Sequence, residues 1–393
     1  MSEYQYYEFL AVDRPLAADE MTRLRSLSSR ARITSTSLVV SYNYGDFRGD
    51  PRQLVERHFD AFLYMANWGT RQLLIRLPRT LLAAETVQQY CVDETAVTWS
   101  SGEHVVLDYT CEEEPGGYWE EAGEGWLASI IPAREDLARG DLRLLYLGWL
   151  FAVQSEAVAD EEHEPPVPPG LRELTGSLQR FVEFLGLDED LVAVAAQASC
   201  DRVTREPTAA DLATWVSGLL AEDKDTVLLR LMQGGPAHLG TELLRRFHAE
   251  TTAGAGTAGV DGDASVGRRT ASELLSAADA LHAHRQRQAE EEAAREQARR
   301  ERAAAEATAR RRADLVAEGD GAWQRVSQLI ETKKQAEYDV AVAILTDLHA
   351  IGREADGVEA FGTRIAGLRE LHARKPSLIA RLDSAGLGPA LLR

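Results

Sequence analysis

Three cysteines occur in 393 residues: Cys91, Cys111 and Cys200. An odd, scattered set excludes a disulfide framework and a structural zinc knot. Lysine is almost as scarce, since Lys224, Lys333, Lys334 and Lys375 are the only ones and every other basic side chain is an arginine. Asparagine stands only at Asn43 and Asn67, a bias that fits the codon usage of a high-GC bacterium. No run approaches the roughly 18 apolar residues that a membrane-spanning helix needs. Met1-Ser2-Glu3-Tyr4 is not a basic stretch leading into an apolar run, so no secretory signal is expected and the cytoplasm is the expected compartment. Catalytic signatures are missing too. Without a Gly-Lys dipeptide there is no phosphate-cradling loop, and neither Gly-x-Ser-x-Gly nor His-Glu-x-x-His occurs.

What is present is acid. The chain has 63 acidic and 43 basic side chains, a formal charge of −20, with 45% apolar residues, enough to bury a real core. Residues 1–160 hold 25 acids and 14 bases, 161–270 hold 18 and 10, and 271–393 hold 20 and 19. The first two-thirds should repel nucleic acid.

The pattern predicts an α+β domain over 1–156. Tyr4–Val12 and Ile33–Tyr42 are rich in aromatic and β-branched residues and read as strands. Residues 17–29 carry Met21, Leu24 and Leu27 at helical spacing, and Asp50-Pro51 opens a second helix. Residues 61–67 and 71–77 flank Trp68-Gly69, and 95–100 and 103–111 flank Ser101-Gly102; both read as hairpins. Trp126–Ile131 reads as one more strand, followed by an apolar helix over 141–154. Strands joined by hairpins and interleaved with helices argue against a doubly wound parallel sheet.

An acidic, proline-rich linker follows over 157–170, including Pro165-Pro166-Val167-Pro168-Pro169. Over 171–250, apolar faces at Phe181, Phe184 and Leu185, at Leu191, Val192 and Ala195, and at Leu212, Trp215, Val216, Leu219 and Leu220 predict a small helical bundle. Residues 251–270 are small and glycine-rich, a flexible tether. Gly254 to Gly259 matches G-x-G-x-x-G, but no strand precedes it, so it is read as tether. A charged Ala/Arg/Glu helix is predicted over 271–318. From His282 to Asp314 it has no Leu, Ile, Val, Met or aromatic residue, a rod of roughly 50 Å. Glu291 and Arg295, Glu296 and Arg300, and Glu306 and Arg310 are placed to pair at i,i+4. Apolar stripes return over 319–393, predicting a C-terminal helical hairpin module.

Tyr338, His372-Ala373-Arg374-Lys375-Pro376-Ser377-Leu378 and Leu382-Asp383-Ser384-Ala385-Gly386-Leu387 lie in a stretch of about 50 residues. It resembles a tail of bacterial SWIM zinc-finger proteins. That family's ligands, Cys-x-Cys followed by Cys-x-His, are absent here, so its zinc and nucleic-acid role do not carry over. Tyr4-Gln5-Tyr6-Tyr7-Glu8-Phe9-Leu10 with Asp13-Arg14-Pro15-Leu16 resembles a group of bacterial proteins of no assigned activity, which implies a family and no function.

These features favour a non-enzymatic cytoplasmic interaction protein with two binding surfaces separated by the charged helix. No cofactor or metal is expected. The partner would be another protein, engaged mainly through the C-terminal module, with weak self-association through the alanine-rich helix. Contact candidates are Tyr42, Tyr44, Phe47 and Arg48 in one aromatic, glycine-rich loop, and Trp323, Tyr338 and Phe361 in the module. The alternative is an enzyme using the acidic region 104–124. There His104 and Asp108 share one strand face, and Glu113 and Glu120 offer carboxylates for a metal or for acid–base work. A second alternative is nucleic-acid association through the arginines of 285–312, whose field the interspersed glutamates largely cancel.

Overall fold

The computed structural model describes residues 4–112, 123–202, 207–233, 238–254, 268–355 and 357–388. The chain divides into two compact units, Met1–Arg285 and Gln286–Arg393.

The first unit opens with β1 (Gln5–Leu10), α1 (Ala18–Arg25), β2 (Arg32–Ile33), β3 (Ser37–Tyr42), α2 (Pro51–Arg57), β4 (Ala61–Ala66), β5 (Thr70–Pro78), α3 (Ala84–Gln88), β6 (Ala96–Ser101) and β7 (His104–Glu112). The strands form one seven-stranded sheet in the order β2-β3-β1-β4-β5-β7-β6. Every neighbouring pair is antiparallel. Both expected hairpins form. Gly69 and Gly102 turn them with positive φ, at 102° and 59°, where a side chain would be strained. The strand expected over Ile33–Tyr42 is two strands, because the chain turns back at Thr34, whose N–H donates to the Ser37 carbonyl at 2.9 Å.

Strand alternation gives the sheet two apolar faces. Phe9, Leu38, Phe62, Leu74 and Val106 point to one, which α1 and α2 cover with Leu24, Leu54 and Val55. Leu63, Leu73, Ile75, Val105, Leu107 and Tyr109 point to the other. Over that second face pack α4 (Trp126–Ala138), α5 (Arg143–Gln154), α6 (Gly176–Leu185) and α7 (Glu189–Ala196). A Cβ on Gly148 of α5 would stand 2.2 Å from the buried Tyr109 ring, so only glycine allows this approach.

Two expectations change here. Trp126–Ile131 is the start of helix α4, not a strand. Trp126, Leu127, Ile130, Ala133, Arg134 and Leu137 are buried at helical spacing. Pro132 lies inside the helix on its exposed side, and Ala128, whose carbonyl loses its usual donor there, is exposed to water as well. The 157–170 stretch, in turn, is no break in the packing. Tyr90 donates its hydroxyl to the Pro166 carbonyl at 2.8 Å, and Ser199 donates to that of Pro168 at 2.7 Å. Phe181, Phe184 and Leu191 beyond it share the core of the sheet.

Three further helices follow: α8 (Ala209–Gly218), α9 (Ala221–Met232) and α10 (Leu239–Gly254). Then α11 (Ala271–Glu318) begins in the first unit and ends in the second. Its first turns bring Ala271, Leu274 and Ala278 into the sheet core. Thirteen residues of the expected tether, 255–267, lie outside the described residues. In the second unit α11 ends at Gly319, and α12 (Asp320–Glu331), α13 (Gln335–Glu354), α14 (Val358–Leu371) and α15 (Pro376–Ser384) follow. Their stripes meet in one core around Val326, Tyr338, Leu345, Phe361, Ile365 and Leu378. The architecture is α+β followed by all-α. Among the described residues no helix is long and apolar enough to cross a membrane.

Candidate interaction surfaces

Strand β7 puts Val105, Leu107, Tyr109 and Cys111 into the helix-covered core, so His104, Asp108 and Thr110 share the opposite face with Val106. That much agrees with the sequence. Asp108, however, is buried and fully engaged. Its Oδ2 accepts from Arg52 at 2.8 Å, and its Oδ1 accepts from Gln72 Nε2 at 2.8 Å and Thr110 Oγ1 at 3.1 Å. The Arg52 guanidinium lies 5.0 Å over the Trp99 ring, whose Nε1 donates to Glu56 at 2.8 Å. Asp108 is thus the centre of a structural network tying α2 to the sheet. Among the described residues nothing links it to His104. Burial, with Arg76 nearby, holds the His104 pKa below its ordinary value, although Asp60 and Asp13 pull it the other way. Glu113 and Glu120 lie outside the described residues. Among those described, no group of three or more His, Cys, Asp or Glu is placed to hold a metal ion.

A different carboxylate is unusual. Glu8 on β1 is buried and accepts from the Tyr6 hydroxyl at 3.1 Å. Burial, against that hydrogen bond and with Glu124 adding to it, raises its pKa. A raised carboxyl pKa costs stability at neutral pH, and the cost disappears as pH falls through the folded-state value and both states become protonated. Glu8→Gln should therefore stabilise the protein at pH 7.5, since the amide oxygen still accepts from Tyr6. The gain should vanish near pH 4. Urea midpoints of both proteins at the two pH values check this, and equal midpoints at pH 7.5 would refute it.

In the loop after β3, Tyr44 is 76% exposed and Arg48 is exposed. Tyr42 is half-buried, donates to Ser28 Oγ at 2.9 Å and carries Arg30 over its ring at 5.8 Å. Phe47 corrects the sequence reading. It is buried among Tyr7 and Phe9, with ring centroids at 5.4 and 5.8 Å, and pins the loop to the sheet. Gly49 makes room, because a Cβ there would meet the Phe47 ring at 2.5 Å.

The same correction applies to the C-terminal module. Tyr338 and Phe361 are buried, and Trp323 is half-buried with its ring 5.5 Å from that of Phe361. Arg364 covers Trp323 at 5.4 Å. These aromatics hold α12, α13 and α14 together because the stripes that carry them face one another. Tyr338 and Phe361 are therefore core residues, enclosed rather than presented to a partner. Along α11, residues 282–311 are exposed apart from half-buried Glu296 and Thr308. Arg295 pairs with Glu291, and Arg299 and Arg300 pair with Glu296. Arg311 and Arg312 turn onto buried Asp347 of α13.

The surface that sequence reading missed is on α8 and α9. Their apolar residues were expected to complete a bundle, yet neither helix buries a residue. On one side they meet α10: the Trp215 ring stands edge-on to Phe247 at 5.7 Å, and its Nε1 donates to Glu250 at 2.7 Å. Ion pairs Arg230–Glu242 and Arg246–Asp223 complete that contact, at 2.9 and 2.8 Å. The other side is open. Leu220 is 72%, Leu231 63% and Met232 83% exposed, with Leu228 and Leu229 more than half exposed. Two helices of 10 and 12 residues cannot cover both of their own apolar faces, and among the described residues no further element lies over this one. The available signal was a surplus: Leu212 to Met232 has more large apolar residues than two short helices against one neighbour can bury.

Fold and surfaces together define an antiparallel-sheet α+β unit with an open apolar helix pair, followed by an all-helical unit. No protein-family model, no curated protein and no solved structure matches the chain.

Proposed function

We propose that the chain is a non-enzymatic cytoplasmic interaction protein whose first unit binds another protein through α8 and α9. The observation that carries this reading is the open face of Leu220, Leu228, Leu229, Leu231 and Met232. Covering a large apolar side chain is worth about 1.5–3 kcal/mol, a driving force that folding has left unused here. Contiguous apolar surface of this kind marks interaction sites. Tyr44 is a further contact candidate on the same unit. The enzyme reading draws no support from Asp108, whose oxygens are occupied. Nor does the nucleic-acid reading draw any from α11, where acids answer several of the arginines.

A photo-reactive benzoylphenylalanine placed at Met232 of the full chain, in the cell of origin, tests the proposal. A protein adduct is expected from position 232 and none from exposed Thr22 on α1. Adducts from both positions, or from neither, would contradict it.

A further inference from the structure

We infer that the open face of α8 and α9 takes a basic amphipathic helix of another protein; this rests on the interaction reading above and names the partner's chemistry. At 100° per residue, Glu222, Asp225, Leu228, Leu229 and Met232 fall on one side of α9. All five are exposed. The face is therefore acidic in its N-terminal half and apolar in its C-terminal half. The bases nearby are already engaged: Lys224 donates to the Ser217 carbonyl, Arg230 binds Glu242, and Arg246 binds Asp223 and Glu250. Glu222 and Asp225 have no cation among the described residues.

The whole unit strengthens that local asymmetry. Residues 1–285 hold 45 acids and 25 bases, so this unit carries the entire net charge of −20. Such a field draws in a basic partner and opposes an acidic one. A second copy would bring the same acidic rim and the same charge. The receptor surface is made of side chains from both helices, with Val216 on α8, Leu220 at the N-cap of α9, and Leu228 and Met232 on α9 all exposed. An open apolar helix face is covered by apolar anchors spaced three and four apart on another helix. Lysines or arginines flanking those anchors would then meet Glu222 and Asp225.

The test uses the full chain and three fluorescent 20-residue peptides: an amphipathic Leu/Lys helix, its Leu/Glu twin and a scrambled Leu/Lys sequence. Anisotropy at physiological salt should show the Leu/Lys helix binding at least tenfold more tightly than either control. Met232→Lys with Leu228→Lys should weaken it at least tenfold, and Thr22→Ala, at an exposed position of α1, should leave it unchanged. Both lysine positions are more than half exposed, so the fold tolerates them, as circular dichroism will verify. Glu222→Lys with Asp225→Lys should reverse the preference toward the Leu/Glu peptide. Equal binding of the scrambled peptide, or no reversal, overturns the inference. So does a dimer in sedimentation that Met232→Lys breaks, which would make a second copy the occupant. If no peptide binds while position 232 still crosslinks to a protein, the partner chemistry is wrong and the interaction reading stands. If both fail, both fall.

Discussion

Replacing Arg76 with methionine is expected to destabilise the first unit by about 3–5 kcal/mol, the cost of stranding a buried charge. The stranded group is Asp60, at 1% exposure. Arg76 reaches its Oδ1 through Nη2 at 2.7 Å and Nε at 3.2 Å, while Arg76 Nη1 donates to the Glu56 carbonyl at 2.9 Å. Oδ2 accepts the Val12 and Asp13 N–H groups at 2.7 and 2.8 Å. The next cation, Arg134, stands 3.9 Å off and is bound to Asp13 at 2.7 Å. Burial alone would raise the Asp60 pKa, but Arg76 and then Arg134 outweigh it and hold it below the ordinary carboxylate range. A depressed pKa means stability that is present above the unfolded-state value and is lost as pH falls through the folded one. Adding Asp60→Asn to Arg76→Met should recover part of the loss, because the charge is gone and an amide oxygen still accepts from Val12 and Asp13. Urea unfolding of the two variants decides. A double variant no more stable than the single one would show that the loss comes from packing, not from charge.

The second large effect is expected at Arg269, in the last residues of what the sequence presents as a tether. Arg269 Nε and Nη2 donate to Glu164 at 2.9 and 2.8 Å, and its Nη1 donates to the Val194 carbonyl at 2.7 Å. Tyr146 donates to the same carboxylate at 2.7 Å. Backbone pairing of His163 with Thr270 closes the joint. Burial raises the Glu164 pKa, but Arg269 and Tyr146 together bring it below the usual value. Arg269→Met leaves Glu164 buried without its cation and a carbonyl without its donor, at a cost of about 3 kcal/mol. The first turns of α11, from Ala271 to Ala278, should lose hydrogen-exchange protection first, because Arg269 is what positions them on the core. Glu164→Gln in the same background should restore part of that protection. Unchanged exchange in Arg269→Met would mean that the apolar contacts of Leu274 hold α11 alone.

Local patterns made much of the fold legible. Trp68-Gly69 and Ser101-Gly102 marked hairpins because positive φ is a property of the residue itself. The run from His282 to Asp314 announced a helix because its composition has no other regular structure to adopt and no apolar face to bury. The α+β then all-α order followed from a period of two giving way to a period near 3.6. Trp126–Ile131 escaped because a short apolar run fits strand and helix alike, and the position of Pro132 on the wet side of α4 is not written in the run.

The candidate site was less legible. Aromatic residues serve a core and a surface equally well, so Phe47, Tyr338 and Phe361 read as contacts until tertiary packing enclosed them. Asp108 read as available until Arg52, Gln72 and Thr110 came together around it from α2, β5 and β7. The apolar run of α8 and α9 read as buried until no element arrived to cover it. By itself, then, the sequence determined most of the helices, the hairpins, the acidic first unit and the charged helix, all set by properties of neighbouring residues. Only the tertiary structure decided which side chains are enclosed, which charges are answered and which apolar face stays open, because burial depends on what distant segments bring to the same place.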